Sequence, residues 1–400
     1  MTLRKVLINR YMRIAIFSVV LNQHQAPISD ILWEITNHNF TFVELLNLRD
    51  KKGGTEDYSK RPYLLRSWES PETFNKAIEL ARTADCCVFS GVDSIPFAKV
   101  RMSLGLLSFD MGERWLKRGW KGFASPRLLK WLSSYYLGRW NKKPLYKLCM
   151  SAFAAADQYK LGTFNNRCYK WGYFTKVDKF DVEASSDVST SNITPLMWCS
   201  RYLMWKHPEL PIQMAHTLKM RGYHFVLDMF GSGEYEEQAK QLAGKLGVED
   251  VVKFRGTMPN EQLMREMKEH DIFLFTSDRN EGWGAVANES MANGCVLVAS
   301  DAIGSVPYLV KDGVNGLMFK SASTKTSFGH PDQKALDDLT EKVAWLLDNK
   351  EKMKEMQRKA VRTMQEVWSP KRAAQNLLQL IDDLQNGRGN SIKEGPCSKA

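Results

Sequence analysis

Glu281 and Glu289 are the acids at the two ends of the run Glu281-Gly282-Trp283-Gly284-Ala285-Val286-Ala287-Asn288-Glu289, with seven residues between them. A carboxylate accepts paired hydrogen bonds from hydroxyl groups, and a glycine-containing turn at a helix start presents backbone N–H groups to an anion. The run suits a polyhydroxylated, phosphate-bearing ligand, with one acid on a hexose, the other on a ribose, and phosphate between. Read alone, the same spacing describes a capped surface helix with two solvated acids. The neighbouring segments shift the balance. Arg201 and Lys206 lie in Ser200-Arg201-Tyr202-Leu203-Met204-Trp205-Lys206-His207-Pro208. An Arg fork and a Lys point charge beside a helix start form a clamp for a diphosphate and can neutralise charge growing on a leaving group. Gly231-Ser232-Gly233 lets backbone approach a ligand closely. Val251-Val252-Lys253-Phe254-Arg255-Gly256 offers a strand edge suited to a planar base.

These groups need a scaffold, and the second half of the chain supplies an alternating one. Strands are expected before Ser200 and over 224–230, 251–254, 271–276 and 295–299. Helices are expected over 208–221, to 246, and over 260–269 and 285–293. Such alternation predicts a parallel sheet covered on both faces, with ligands beyond the carboxyl ends of its strands. The first half starts with strands over 13–21, 40–46 and 84–90 and helices near 28–36 and over 71–83. Residues 101–160 read as mostly helical. His38, in the turn Asn37-His38-Asn39, reads as structural. Helices over 333–349, 351–368 and 370–385 close the chain. The expected fold class is α/β with two Rossmann-like domains, 1–182 and 195–368, joined by a polar linker at 183–194. Residues 387–400 read as a disordered tail.

Four hundred residues, 44% hydrophobic and 25% charged, suit two globular domains. Seven scattered cysteines with no CxxC pair predict reduced thiols in a cytosolic protein, and argue against a zinc site or a disulfide frame. No stretch approaches the ~20 apolar residues that cross a bilayer. The apolar run from Ile14 to Leu21 reads as a first strand rather than a signal-peptide core; residues 1–11 read as an extension, with Met12 an alternative start. Charge is uneven. Residues 1–180 hold 29 Lys and Arg against 15 Asp and Glu, whereas the remainder holds 27 against 30. Between Arg101 and Lys179 the cations are interleaved with Trp115, Trp120, Phe123, Trp131, Tyr135, Tyr136 and Trp140, a pattern that fits an anionic membrane surface. Nucleic acid is the rival partner, and a solvated basic face the plainest reading.

Taken in order, residues 228–233, 251–263, 271–289, 293–300 (Asn293-Gly294-Cys295-Val296-Leu297-Val298-Ala299-Ser300) and 310–319 resemble the donor-binding half of retaining glycosyltransferases of the GT-B type. These belong to the large Glu-x7-Glu group known as glycosyl transferases group 1. The resemblance implies two facing Rossmann-like domains, a segment 369–386 that crosses back to the first of them after Trp368-Ser369-Pro370, and a set of roles. Arg201 and Lys206 would bind the donor diphosphate, and Glu281 the hydroxyls of the transferred sugar. The backbone of Gly282, Trp283, Gly284 and Ala285 would face sugar and phosphates, beside Gly231 and Gly233. Glu289 would hold the ribose, and Arg255 would lie at the base. Asn22-Gln23-His24-Gln25-Ala26-Pro27, Gly112-Glu113-Arg114-Trp115-Leu116-Lys117 and Lys170-Trp171-Gly172-Tyr173-Phe174 are similar to bacterial enzymes that build surface polysaccharides. They nominate His24 for the reacting centre, with Glu113 as the alternative on the acceptor side.

The implied reaction is transfer with retained anomeric configuration from a nucleotide-sugar, expected to be a UDP-sugar. The acceptor would be a saccharide or lipid-linked saccharide in bacterial polysaccharide or lipopolysaccharide synthesis. Attack would come from the front face, with the leaving phosphate taking the acceptor proton. The lack of an Asp-x-Asp motif near a strand end fits binding without a metal, and no cofactor is expected. The protein is expected to be cytoplasmic, peripheral at the inner face of the membrane, and not to bind nucleic acid. The competing readings are a sugar-nucleotide epimerase on the same fold and a non-catalytic basic protein that binds membrane or nucleic acid.

Overall fold

Ile14-Ala15-Ile16-Phe17-Ser18 is buried at every position, the mark of a central parallel strand covered on both faces. It is β1 of a seven-stranded sheet with β2 (Phe40–Glu44), β3 (Leu64–Arg66), β4 (Cys86–Ser90), β5 (Ser108–Gly112), β6 (Leu145–Cys149) and β7 (Cys168–Lys170). All neighbours are parallel, in the order β3-β2-β1-β4-β5-β6-β7. Helices α1 (Ala26–Ile35), α2 (Pro71–Thr83), α3 (Ile95–Leu104), α4 (Pro126–Tyr136) and α5 (Ala154–Lys160) connect them. The start of α2 shows how local sequence fixes an element. Pro71 occupies the first turn; the Ser70 hydroxyl accepts from Thr73 N at 3.1 Å while the Thr73 hydroxyl accepts from Ser70 N at 3.0 Å, a reciprocal cap.

This is a computed structural model, and it describes residues 12–48, 58–177, 193–324 and 327–400. The chain divides into two units, Met1–Lys176 with Trp368–Ala400, and Val177–Val367. The expected extension 1–11 and 183–192 of the expected linker lie outside the described residues.

The second unit carries a six-stranded sheet of β8 (Thr194–Cys199), β9 (Phe225–Phe230), β10 (Val252–Gly256), β11 (Ile272–Phe275), β12 (Val296–Ser300) and β13 (Gly316–Phe319), all parallel, in the order β10-β9-β8-β11-β12-β13. Its helices are α6 (Glu209–Met220), α7 (Glu236–Leu246), α8 (Asn260–Lys268), α9 (Val286–Ala292), α10 (Val306–Leu309), α11 (Gln333–Asp348) and α12 (Lys350–Arg362). In each sheet strand order reverses once, between β1 and β4 and between β8 and β11. Loops leaving the carboxyl ends of those strands splay apart there and leave a crevice.

Two expectations need correcting. Residues 101–160 are not mostly helical, because β5 and β6 run through them. Their apolar pattern is broken by Asp110 and Lys147, which are register partners on adjacent strands. The two form a buried ion pair, and Asp110 also accepts the Trp131 indole N–H at 2.8 Å. Buried charges persist when paired and hydrogen-bonded, so these strands tolerate residues that disguise them in sequence. The polar segment 387–400, expected to be disordered, folds against β7. Cys397 N donates to Lys170 O at 2.7 Å, Lys170 N to Ser398 O at 2.8 Å and Ala400 N to Cys168 O at 3.1 Å, and Cys397 and Ser398 are buried. An edge strand offers unpaired backbone groups that need no apolar side chain from their partner. The last helix, α13 (Pro370–Gln385), belongs to the first unit and packs on α1.

Candidate functional site

At the reversal of the second sheet, the loops after β8 and β11 are laced together by backbone and buried side chains. The Trp198 indole donates to the Thr276 hydroxyl at 2.9 Å, that hydroxyl donates to Lys206 O at 2.7 Å, and Asp278 N donates to Trp205 O at 3.0 Å. The lacing brings Lys206 to Glu281. The ammonium is ion-paired with Glu281 Oε2, and the Ser277 hydroxyl donates to the same oxygen at 3.2 Å. The Lys206 ammonium also lies 4.2 Å from the Trp205 ring centroid, a cation–π contact. Arg201, on the same loop, is exposed, and its guanidinium has no hydrogen-bond partner among the described residues. One cation is thus held against an acid and a second is free to meet a ligand.

The turn after Glu281 is built tightly. Gly284 has φ 81°, and a Cβ there would sit 2.4 Å from Phe275 Cζ and 3.2 Å from Glu281 Cγ, so only glycine fits. Trp283 is 1% exposed and its indole donates to Asn288 Oδ1 at 2.8 Å. Its ring anchors the turn in the core, so the donor contact expected of Trp283 is left to its backbone. Gly282 is buried, and Ala285 directly precedes α9.

Glu289, in the first turn of α9, is partly buried, with the Asn260 amide 3.5 Å away. Burial pushes its carboxyl up to about 7, opposed weakly by the Asn260 hydrogen bond. Below the ordinary carboxyl range the group is protonated whether the chain is folded or unfolded, and it costs nothing. As pH rises through that range toward 7 the unfolded chain releases the proton first, so stability is lost, by up to about 3 kcal/mol above pH 7. Glu289→Gln removes the penalty. The variant is expected to melt several degrees above the parent near pH 8, with the gap closing near pH 5, as read by calorimetry. A variant melting at or below the parent at pH 8 would contradict this.

The expected glycine turn is held by backbone. A Cβ at Gly231 would lie 1.9 Å from Ser200 O, and one at Gly233 2.6 Å from Tyr202 O. Both glycines therefore brace the loop that carries Arg201. Arg255, half exposed, donates through Nε to Asp228 Oδ1 at 2.8 Å.

In the first unit, the two nominated groups meet through a residue not nominated. The Tyr173 hydroxyl donates to Glu113 Oε1 at 3.0 Å, its ring stacks on His24 at 5.1 Å between centroids, and Lys117 donates to Glu113 Oε2 at 3.3 Å. Burial lowers the imidazole of His24 to about 4, so it is neutral near pH 7, and its Nδ1 is buried without a hydrogen-bond partner. The loops after β1, β5 and β7 contribute His24, Glu113 and Tyr173 in turn, all at the carboxyl edge of the sheet. A separate cavity of about 460 Å³ opens at the opposite edge, among Arg13, Trp33, His38, Tyr63 and Lys76. It holds none of the nominated residues; His38 there stacks on Trp33.

Sequence reasoning passed over Tyr173, Ser277 and a buried trio of His207, Glu209 and Asp278. The segments holding Tyr173 and His207 were in view, but their partners lie 60 and 71 residues away. Among the described residues no group of three or more His, Cys, Asp or Glu is placed to hold a metal ion, and no helix is long and apolar enough to cross a membrane.

Residues 196–363 match the family described as Glycosyl transferases group 1. The amylovoran biosynthesis glycosyltransferase AmsK of Erwinia amylovora is 34% identical over 110 residues, covering 26% of this chain and 27% of AmsK. A D-inositol 3-phosphate glycosyltransferase of Corynebacterium aurimucosum is 37% identical over 95 residues, covering 24% of this chain and 22% of that protein. The chain thus spans about a quarter of the length of the curated relatives it matches. Among solved structures, the apo lipopolysaccharide outer core galactosyltransferase WaaB aligns with TM-score 0.67 at 15% identity, covering 94% of this chain and 99% of WaaB. HepE of Anabaena in complex with UDP aligns with TM-score 0.64 at 16% identity, covering 94% and 100%. The α/β fold with two parallel sheets is that of GT-B glycosyltransferases.

Proposed function

We propose that the chain is a retaining glycosyltransferase that moves a sugar from a nucleotide-sugar, a UDP-sugar in the first instance, to a saccharide or lipid-linked saccharide during bacterial polysaccharide or lipopolysaccharide synthesis. The observation that carries this reading is the meeting of Lys206 with Glu281 on two laced loops, at the strand ends where such sheets bind ligands. A cation for a diphosphate and an acid for sugar hydroxyls stand at contact distance. The match of residues 196–363 to group 1 glycosyl transferases supports it, as does the likeness to HepE, whose structures hold UDP and UDP-glucose.

In this reading Arg201 and Lys206 take the diphosphate and neutralise its charge as the glycosidic bond breaks. Glu281 then exchanges its ammonium partner for sugar hydroxyls and fixes the ring against the incoming acceptor. Glu289 grips the ribose, and Arg255 flanks the base. The leaving phosphate takes the acceptor proton, so no side chain is asked to form a covalent bond, and protein cations stand where a metal would otherwise balance the phosphates. His24, Tyr173 and Glu113 receive the acceptor, with the neutral imidazole and the carboxylate accepting from hydroxyls and an aromatic ring backing them. The test is a thermal-shift screen of nucleotide sugars and their nucleotides on the purified chain. One donor is expected to raise the melting temperature at millimolar concentration or below, and the product anomer made from it should match the donor's. A flat response across the panel would end the reading.

The same proposal places the protein at the inner face of the membrane. No acidic residue occurs between Glu113 and Asp157, and α4 with the turn after it exposes Arg127, Lys130 and Arg139 beside Leu129 (55% exposed) and Leu137 (82%). Cations next to protruding leucines fit a headgroup layer of negative charge. Sedimentation with phosphatidylglycerol vesicles is expected and with phosphatidylcholine vesicles is not. Leu129→Glu with Leu137→Glu should cut it about tenfold. Equal sedimentation of the double variant would remove α4 from the contact.

A further inference from the structure

We propose that His207 is a positioning residue of this site: an imidazolium lodged between Glu209 and Asp278 that locks the loop carrying Lys206 to the loop carrying Glu281. The assignment of a catalytic consequence rests on the nucleotide-sugar reading above; the lock itself does not.

His207 follows Lys206 directly and takes a left-handed conformation, φ 50°, uncommon outside glycine. That conformation sends the side chain into the interior, where it is 1% exposed. Nδ1 lies 2.9 Å from Glu209 Oε1, and Nε2 lies 3.6 Å from Asp278 Oδ2. Glu209 opens α6 and is 0% exposed; Asp278 belongs to the loop after β11 and is 1% exposed. Two buried carboxylates converging on one ring would be strongly unfavourable without a cation between them. The adjoining ammonium, Lys206, is directed to Glu281 instead, so the compensating charge falls to the imidazole. Burial works against that charge, but the Glu209 hydrogen bond and the charges of Asp278 and Glu209 outweigh it and hold the group up to about 9.

The connection continues to the reacting groups. Asp278 Oδ1 accepts from Asn280 N at 2.7 Å and from the Asn280 amide at 2.9 Å, and Asp278 O accepts from Glu281 N at 3.1 Å. The ring therefore pulls on the residue that shapes the turn from which Glu281 projects, while its own backbone follows Lys206. Nε2 and one oxygen of Glu209 have no hydrogen-bond partner, so the hold on Asp278 is by charge across 3.6 Å rather than by a closed hydrogen bond.

The test compares His207→Gln, Asp278→Asn and the double variant. His207→Gln is expected to lower kcat about 100-fold, the scale of a small misplacement of reacting groups, while nucleoside diphosphate Kd rises by about tenfold at most, because Lys206 is one of several contacts and those to base and ribose lie on other elements. Adding Asp278→Asn leaves one buried acid, Glu209, where there were two, so melting temperature should recover in part while kcat does not. A histidine of structural role alone would give a double variant that recovers both. Two readouts need no substrate. Imidazole nitrogen NMR should show His207 charged until about pH 9, and amide exchange in 276–281 should quicken in His207→Gln with the remaining sheet unchanged. A neutral ring at pH 7, unaltered exchange in that loop, or kcat within about threefold of the parent would overturn the proposal. If the parent chain turned over no nucleotide sugar, the functional reading would fall, and the NMR and exchange results would still decide the lock.

Discussion

Glu281→Ala is expected to abolish sugar transfer, by about 10³-fold in kcat, while affinity for the nucleoside diphosphate holds or tightens. The asymmetry comes from the partner Glu281 has without substrate. Its Oε2 is paired with the Lys206 ammonium, so the donor must displace that contact before phosphate reaches the lysine. Alanine removes the grip on the sugar and frees the ammonium, which stays next to the Trp205 ring at 4.2 Å. Titration calorimetry with UDP, beside single-turnover assays with the donor found by screening, separates the two effects. Parallel loss of binding and turnover would mean that Glu281 shapes the phosphate site rather than the sugar site, and unchanged turnover would remove it from the reaction.

The second large effect is expected from Arg201→Ala combined with Lys206→Ala. Each cation offers charge-assisted hydrogen bonds to phosphate worth about 1.5–3 kcal/mol. The pair should therefore cost about 10²-fold or more in UDP affinity, and still more in turnover because the leaving group gains charge as the bond breaks. The single variants should differ. Arg201 is exposed with no internal partner among the described residues, so its loss leaves the fold untouched. Lys206→Ala strands Glu281 in a largely buried place, so it should lower melting temperature as well. Normal turnover in the double variant would discard the clamp.

How far the molecule could be read before folding differs between its halves. The second sheet is legible because its strands are apolar and alternate with amphipathic helices, as in Ile272-Phe273-Leu274-Phe275 and Val296-Leu297-Val298-Ala299-Ser300, buried throughout. The first sheet hides β5 and β6 because Asp110 and Lys147 neutralise each other only once the strands are side by side. Local pattern cannot express a pairing across that separation. The same limit applies to the site. Lys206 and Glu281 were readable as types on the right loops, yet their ion pair was not, nor was the His207 trio, whose members gain meaning from mutual burial. The direction of the Trp283 ring, which turns inward to Asn288, was not readable either, since a motif fixes spacing and not the direction of a side chain.

Gly231 and Gly233 bear on how any mutational scan of this chain is interpreted. Because their neighbours are the carbonyls of Ser200 and Tyr202, a methyl group at either glycine would displace the strand of chain from which Arg201 extends. Such variants would lose activity as thoroughly as if a ligand contact had been cut, and a screen that scores only dead or alive would rank two supporting glycines among the residues that touch substrate.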